Sequence, residues 1–372
     1  MSRMLTKRLI VVICLVWSAA DGLCDADLST VARSSRVAVL PFADLAEATD
    51  AVPRVMARVR SELTGKAVEL ADSNVIEDAL RKHRIRDTAE LDLAESQAVA
   101  LESSSRYLLM GSIDRCDEGD SSAEVAFSAR LLDVSSACIV WANSVAIERD
   151  PRTNFLGLGS HRMDGLVKDA VRKLFRDFRT DPPPRMNVVQ ALKLDGRATP
   201  EIPCRRIMLV TFGNESETHF AGNIIANELL SALTKRGFVV IDPGRVREMM
   251  LTAKELMQGE ISPDLLKKCG AELGADLLLT GTVSRFVSVR GQLYDEPAVS
   301  FEARLLDVKR GEPVWAKSYS REGKNSSWIF SWGYVHGLTQ LSERMSRRLA
   351  DDLPVRRGRE MATTAITQEL NP

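Results

Sequence analysis

The sequence predicts an α/β protein made of two copies of one mixed-sheet sandwich unit, in the order β-α-β-α-α-β-β-β-α, and not a solenoid. Three observations carry this. Arg36-Val37-Ala38-Val39-Leu40-Pro41-Phe42 returns as Arg206-Ile207-Met208-Leu209-Val210-Thr211-Phe212. Phe127-Ser128-Ala129-Arg130-Leu131-Leu132-Asp133-Val134 returns as Phe301-Glu302-Ala303-Arg304-Leu305-Leu306-Asp307-Val308, and a Val-Trp-Ala follows each (Val140 to Ala142, Val314 to Ala316). The register between them holds: Asp72 falls on Asp242, Glu102 on Glu272 and Gly111 on Gly281, at one offset of 170 residues. The offset then rises to 174, so four extra residues enter the second copy between Gly281 and Phe301, in a hairpin connection. Solenoid units run to about 20–50 residues; a period this long is a duplicated domain, each copy long enough for a core of its own.

Each copy opens on a short run of branched apolar residues, which suits a strand buried on both faces. A helix follows. Val52, Val55, Met56, Val59 and Leu63 make one stripe, and Ile225, Leu229, Ala232 and Leu233 make its counterpart. Lys235-Arg236-Gly237 reads as a helix end with glycine at the exit. A second strand is expected at Val68 and Leu70, matched by Phe238 and Val240. Asp72 and Asp242 then cap the next helix, with Pro243 suited to its first turn. A further helix leads to the apolar strands 107–111 and 277–281, both closing on glycine.

The next segment alternates. Val125, Phe127, Ala129 and Leu131 point one way and Glu124, Ala126, Ser128 and Arg130 the other. Val299, Phe301, Ala303 and Leu305 repeat this, with Ser300, Glu302 and Arg304 outward. Period-two alternation predicts a half-buried antiparallel strand in both copies. A turn at 307–312 leads into the Trp315 strand, and amphipathic helices near 163–178 and 335–349 close the two copies.

The ends and joints follow from composition. Residues 1–20 read as a secretory signal: Arg3, Lys7 and Arg8, a short apolar run, then Ser18-Ala19-Ala20. Cys24 is a candidate lipidation site, although Asp21 fits such a site badly. The repeats are placed at 35–179 and 205–353. A Pro-rich linker, 180–204, joins them around Asp181-Pro182-Pro183-Pro184, and 354–372 is expected to be a disordered tail. Lys and Arg total 50 against 51 Asp and Glu, with only 5% aromatics, which argues against nucleic acid as a partner. The cysteines occupy different positions in the two copies, so no shared disulfide framework or metal spacing follows.

The opening "VAVLPF" strand, the "YLLMGSI" and "LLLTGTV" strands and the "ARLLDV…VWA" hairpin resemble the curli-secretion (CsgG-type) family. The unit is similar also to the penicillin-binding-protein activator lipoproteins and to the N-terminal domain of the Tol-system propeller protein. The resemblance covers nearly all of the mature chain, once per repeat. It implies non-enzymatic work at the periplasmic face of the outer membrane, by ring formation, secretion or contact with wall synthases. The long amphipathic hairpins of the channel-forming members have no counterpart here, because 284–291 is too polar and too short.

Catalytic patterns are missing. His83, His161, His219 and His336 stand in no metal spacing, and neither G-x-S-x-G nor a phosphate loop occurs. Gly157-Leu158-Gly159 reads as a turn. Asp133 and Asp307 sit where aspartate caps a hairpin turn, and Trp141 and Trp315 where a strand packs. The second copy alone carries Trp328, Phe330, Trp332 and Tyr334 in seven residues. That element is either an exposed contact surface or a lid folded over the sheet. The expected function is a periplasmic cell-envelope adaptor, not an enzyme, working without a cofactor through contacts with envelope proteins. Self-association into an oligomer and peripheral outer-membrane attachment are open to it. The alternatives are a ring-forming outer-membrane secretion component and, from a third class, an enzyme.

Overall fold

The computed structural model describes residues 35–48, 50–118, 123–149, 163–180, 202–204, 206–252, 261–290, 295–326 and 335–357. The first repeat contains β1 (Val37–Val39), β2 (Ala43–Asp44), α1 (Ala51–Gly65), α2 (Ser73–Lys82), α3 (Leu93–Glu102), β3 (Tyr107–Glu118), β4 (Ala123–Asp133), β5 (Cys138–Arg149) and α4 (Met163–Leu174). After β6 (Ile202–Cys204) the second repeat runs β7 (Arg206–Leu209), β8 (Gly213–Asn214), α5 (Ala221–Lys235), β9 (Val239–Ile241), α6 (Pro243–Thr252) and α7 (Pro263–Leu273). It continues through β10 (Leu277–Arg290), β11 (Asp295–Asp307), β12 (Glu312–Glu322) and α8 (Leu338–Asp352) to β13 (Val355–Arg357).

The two repeats share one mixed 11-stranded sheet, in the order β1-β3-β4-β5-β9-β7-β10-β11-β12, with β2 beside β3 and β8 beside β10. β1 runs parallel to β3 and β7 parallel to β10, while β3-β4-β5 and β10-β11-β12 are antiparallel meanders. The halves join where Cys138 of β5 meets Ile241 of β9, antiparallel. Matching strands therefore occur in the same order across the sheet but point in opposite directions. That relation is a step along the sheet combined with a half-turn about the line of the step, which exchanges its faces.

The cores show the exchange. Alternation along β1 sends Val37 and Val39 to one face, where they meet Val55, Val59 and Leu63 of α1 and Leu166 and Val171 of α4. Ala38 and Leu40 go to the other face, with Ile76 of α2 and Val99 of α3. That second core continues into the second repeat through Ile225 and Leu229 of α5 and Leu341 and Met345 of α8. A third core holds α6 and α7 against Met208 and Leu278. Helices α5 and α8 thus pack on their own strands and on β5 of the first repeat.

The helix ends follow the local chemistry. Asp72 accepts from Asn74 N at 2.9 Å, and Asp242 accepts from Gly244 N at 3.1 Å ahead of Pro243. Asp92 and Glu95 close a capping box on α3. Gly237, after α5, has φ +81°, the left-handed conformation that glycine adopts without a Cβ penalty. The paired turn aspartates also act as expected. Asp133 accepts from Ser135 N and Asp307 from Lys309 N and Arg310 N. Trp141 packs against Phe175 and Phe178 at centroid distances of 5.6 and 4.9 Å.

Gly111 and Gly281 recur because a ring lies on each. A Cβ at Gly111 would stand 2.5 Å from Cζ of Phe42, and one at Gly281 would stand 2.3 Å from Cε2 of Phe212. Phe42 and Phe212 are the last residues of the duplicated opening motif, just past β1 and β7. Gly111→Ala is expected to cost about 1–3 kcal/mol by overpacking, read as a lower urea midpoint at unchanged m-value.

Four expectations are corrected. Of the two alternating strands, β4 and β11, only β11 of the second repeat has a half-open polar face. Ser128 and Arg130 are buried, whereas Glu302 is half-buried and Arg304 exposed, because α5 and α8 cover the first and no helix of the described residues covers the second. The second strand of the first repeat shrinks to one bridge, Val37 to Leu70. The four extra residues lengthen strands instead of a loop: β10 and β11 have 14 and 13 residues against 12 and 11 in β3 and β4. Finally, β13 pairs in parallel with β6, so residues 355–357 of the expected tail and 202–204 of the expected linker form a two-stranded ribbon.

Candidate functional site

The sequence-predicted contact residues Trp328, Phe330, Trp332 and Tyr334 lie outside the described residues, as do the candidate lipidation site Cys24, the signal 1–20 and His161. What the structure does place is the base of the aromatic segment. Val335 N donates to Gly323 O at 3.5 Å, which joins the described chain on the two sides of residues 327–334. This contact lies beside Pro297, at the far end of the β10–β11–β12 meander.

The site that sequence reasoning missed is the seam between the repeats. It forms because α5 is buried on all sides, including Ile224, Glu228 and Leu230, where α1 exposes Arg54 and Arg58. A helix apolar all round must be covered all round, and the far side of α5 is covered by the sheet of the first repeat. Burying one such Ile or Leu is worth about 1.5–3 kcal/mol.

The sheet face under α5 and α8 is lined with polar groups. Ser112 and Ser128 donate to Asp114 at 2.5 Å each, and Asn227 of α5 donates to Ser112 at 3.1 Å. Burial pushes the Asp114 carboxyl up to about 7, against the pull of these hydrogen bonds. Glu228 accepts from Ser342 at 2.5 Å and Ser346 at 2.9 Å. Burial, reinforced by the nearby Glu343 and Asp114 carboxylates, holds it well above the usual carboxylate range. Glu124 takes the start of α8, accepting from Thr339 N at 2.9 Å; burial raises it too, against Thr339 and Arg115.

One buried ion pair crosses the seam. Arg130 Nε lies 3.1 Å from Asp242 Oδ1, with side chains 8% and 0% exposed, and the same guanidinium donates to Ala89 O. Around it Thr211 donates to Glu90 at 2.9 Å, and Leu93 N donates to Glu248 at 3.2 Å. A small cleft runs along the join, lined by Glu90, Ser112, Ser128, Arg130 and Asn227.

Among the described residues, the polar side chains of the seam hold protons and charges in place. Both serines direct their hydroxyl hydrogens at Asp114, and among the described residues no imidazole hydrogen-bonds to either serine. His219 sits on the surface 3.1 Å from Glu47, and His83 lies 2.6 Å from Glu102. No group of three potential metal ligands forms among the described residues, and none of their helices is long and apolar enough to cross a membrane.

The family model of the peptidoglycan-synthase activator LpoB matches residues 169–320. No curated protein matches. Among solved structures, the PelC dodecamer from Paraburkholderia phytofirmans is similar at 22% identity and a TM-score of 0.28, over 41% of this chain and 89% of that one. Lipoprotein GNA1162 from Neisseria meningitidis is 23% identical at 0.29, over 40% and 99%. The LpoB C-terminal domain from Salmonella enterica is 17% identical at 0.26, over 32% and 84%. The family match runs from within α4 into β12 and stops before Trp328. The curli-secretion and Tol-propeller likenesses stay at the level of the sequence motifs.

Two signals in the sequence could have marked the seam. Asp114 and Glu228 stand where the other repeat has Ser284 and Arg58. Paired positions that trade a surface residue for a carboxylate inside an apolar helix or strand mark a changed environment.

Proposed function

We propose that this chain is a non-enzymatic adaptor of the cell envelope that activates a peptidoglycan synthase by contact, with the second repeat as the contacting unit. The match of residues 169–320 to the activator family carries the reading. The secretory signal read at 1–20 supports a periplasmic mature chain, and attachment to the outer membrane belongs to the same reading. The partner is a penicillin-binding synthase, and Trp328, Phe330, Trp332 and Tyr334 form the contact surface. Aromatic side chains suit that role because they bury large areas at small entropic cost.

The test adds the mature protein to a purified penicillin-binding synthase from the same cell and follows glycan polymerisation. A several-fold rise in rate is expected, lost in the Trp328→Ala, Trp332→Ala double variant with its melting midpoint unchanged. An unchanged rate with the intact protein sinks the activator reading. A collapsed melting transition in the variant makes the aromatic segment part of the core.

A further inference from the structure

The contact between the two repeats is head-to-tail: the sheet face and edge of one unit receive a helix and the opposite edge of the next. Such a contact does not use itself up. The second repeat presents the same receiving face again, and among the described residues no helix or strand covers it. Ala142 and Ser144, buried beneath α5 and α8, are matched by Ala316 and Ser318, both exposed. The outer edge of β12 pairs with no strand of the described residues.

The inserting surface is also present twice. Asn223, Asn227 and Leu230 of α5 face the cleft at the join. Their counterparts in α1 are Pro53, Ala57 and Arg60, and Pro53 and Ala57 are exposed. Charges match at two places. Arg130 pairs with Asp242 inside the chain; the equivalents are Arg304, exposed on the open face, and Asp72, exposed at the other end of the molecule. Glu228 faces Asp114, the acceptor for Ser128. Arg58 takes the place of Glu228, and Glu302 takes that of Ser128, so the repeated contact sets a cation against a carboxylate.

We propose that copies of this chain associate head to tail, the open β10–β11–β12 face of one receiving α1 and the Leu70–Asp72 end of the next, in the manner of the contact inside the chain. Ala57 on the helix and Ala316 and Ser318 on the sheet leave room for close approach, Arg54 and Arg58 lie beside Ala57, and Arg304 with Asp72 fixes the register. Each step reverses strand direction and exchanges faces, so the assembly grows as a string and does not stop at a symmetric pair. This inference is independent of the synthase reading.

Analytical ultracentrifugation of the mature chain and two surface variants tests it. Ser318→Arg blocks the receiving face; Ala57→Arg blocks the inserting helix. The unaltered chain is expected to associate with rising concentration, and each variant to associate at least tenfold more weakly with an unchanged melting midpoint. An equimolar mixture of the variants retains one intact contact and is expected to form dimers that grow no further. Should Ser318→Arg fail to fold, Ser320→Arg, exposed on the same face, replaces it. A chain that stays monomeric to its solubility limit overturns the proposal, as does association that both variants leave intact.

Discussion

Arg130→Ala is expected to destabilise the chain by about 3–5 kcal/mol, the range for removing one partner of a buried pair. Arg304→Ala, at the matching position of the other repeat, is expected to shift stability by no more than about 0.5 kcal/mol. The two arginines occupy the same place in the same motif, so their intrinsic strand preferences cancel in the comparison. What differs is the surroundings. Asp242 is fully buried; burial pushes its pKa up and the Arg130 guanidinium opposes that push. Without Arg130 that carboxylate is left unpaired, and Ala89 O loses its donor. Arg304 and Glu302 are 50% and 45% exposed, and their contact at 3.0 Å is a surface pair that water replaces. Urea unfolding of both variants measures the contrast. Adding Asp242→Asn to Arg130→Ala should recover part of the loss, because asparagine keeps the cap on α6 without the charge. Equal losses at 130 and 304 would falsify the assignment of the seam as a buried interface.

Most of the framework was legible in the sequence because the duplication supplied an internal comparison. Phe42 with Gly111, Asp133 with its turn and the caps at Asp72 and Asp242 could each be checked against a second copy, and local chemistry decides all of them. The seam was not legible for a geometric reason. Period-two alternation states that Ser128 and Arg130 share a face opposite Phe127, and they do, but it cannot state what lies on that face. In the second repeat the same pattern faces outward. Only the half-turn between repeats brings α5 and α8 over the first sheet, and that operation leaves no trace in the repeat period. The surviving signal was compositional: α5 reads Ala-Gly-Asn-Ile-Ile-Ala-Asn-Glu-Leu-Leu-Ser-Ala-Leu-Thr-Lys, apolar well beyond the single stripe of α1. A helix that needs cover on every side already implies a second surface.

Stability is expected to fall with rising pH because of Asp114, and Asp114→Asn should remove that share of the fall. The sign follows from the direction of the shift. In the unfolded chain an aspartate loses its proton near pH 4; in the fold, burial holds Asp114 to about 7. Below pH 4 both states carry the proton and the group has no effect. Between pH 4 and 7 the unfolded state has released a proton that the folded state retains, so each unit of pH favours unfolding by about 1.4 kcal/mol per group. Above pH 7 both states are ionised, and the destabilisation is complete and constant. From pH 5 to pH 8 the intact chain should therefore lose about 2–3 kcal/mol more stability than the Asp114→Asn variant. Glu228, Glu124 and Asp242 are raised as well, but they are present in both proteins and largely cancel from the difference. Asp114 faces Ser112 and Ser128 on its own sheet, with Asn227 and Glu228 on α5, so its ionisation puts a buried charge where the repeats meet. The loss should consequently appear as loosening of the seam, with amide exchange in α5 rising between pH 6 and 8 before that in α1. Parallel exchange in the two helices would mean that Asp114 acts on the whole fold and not on the join.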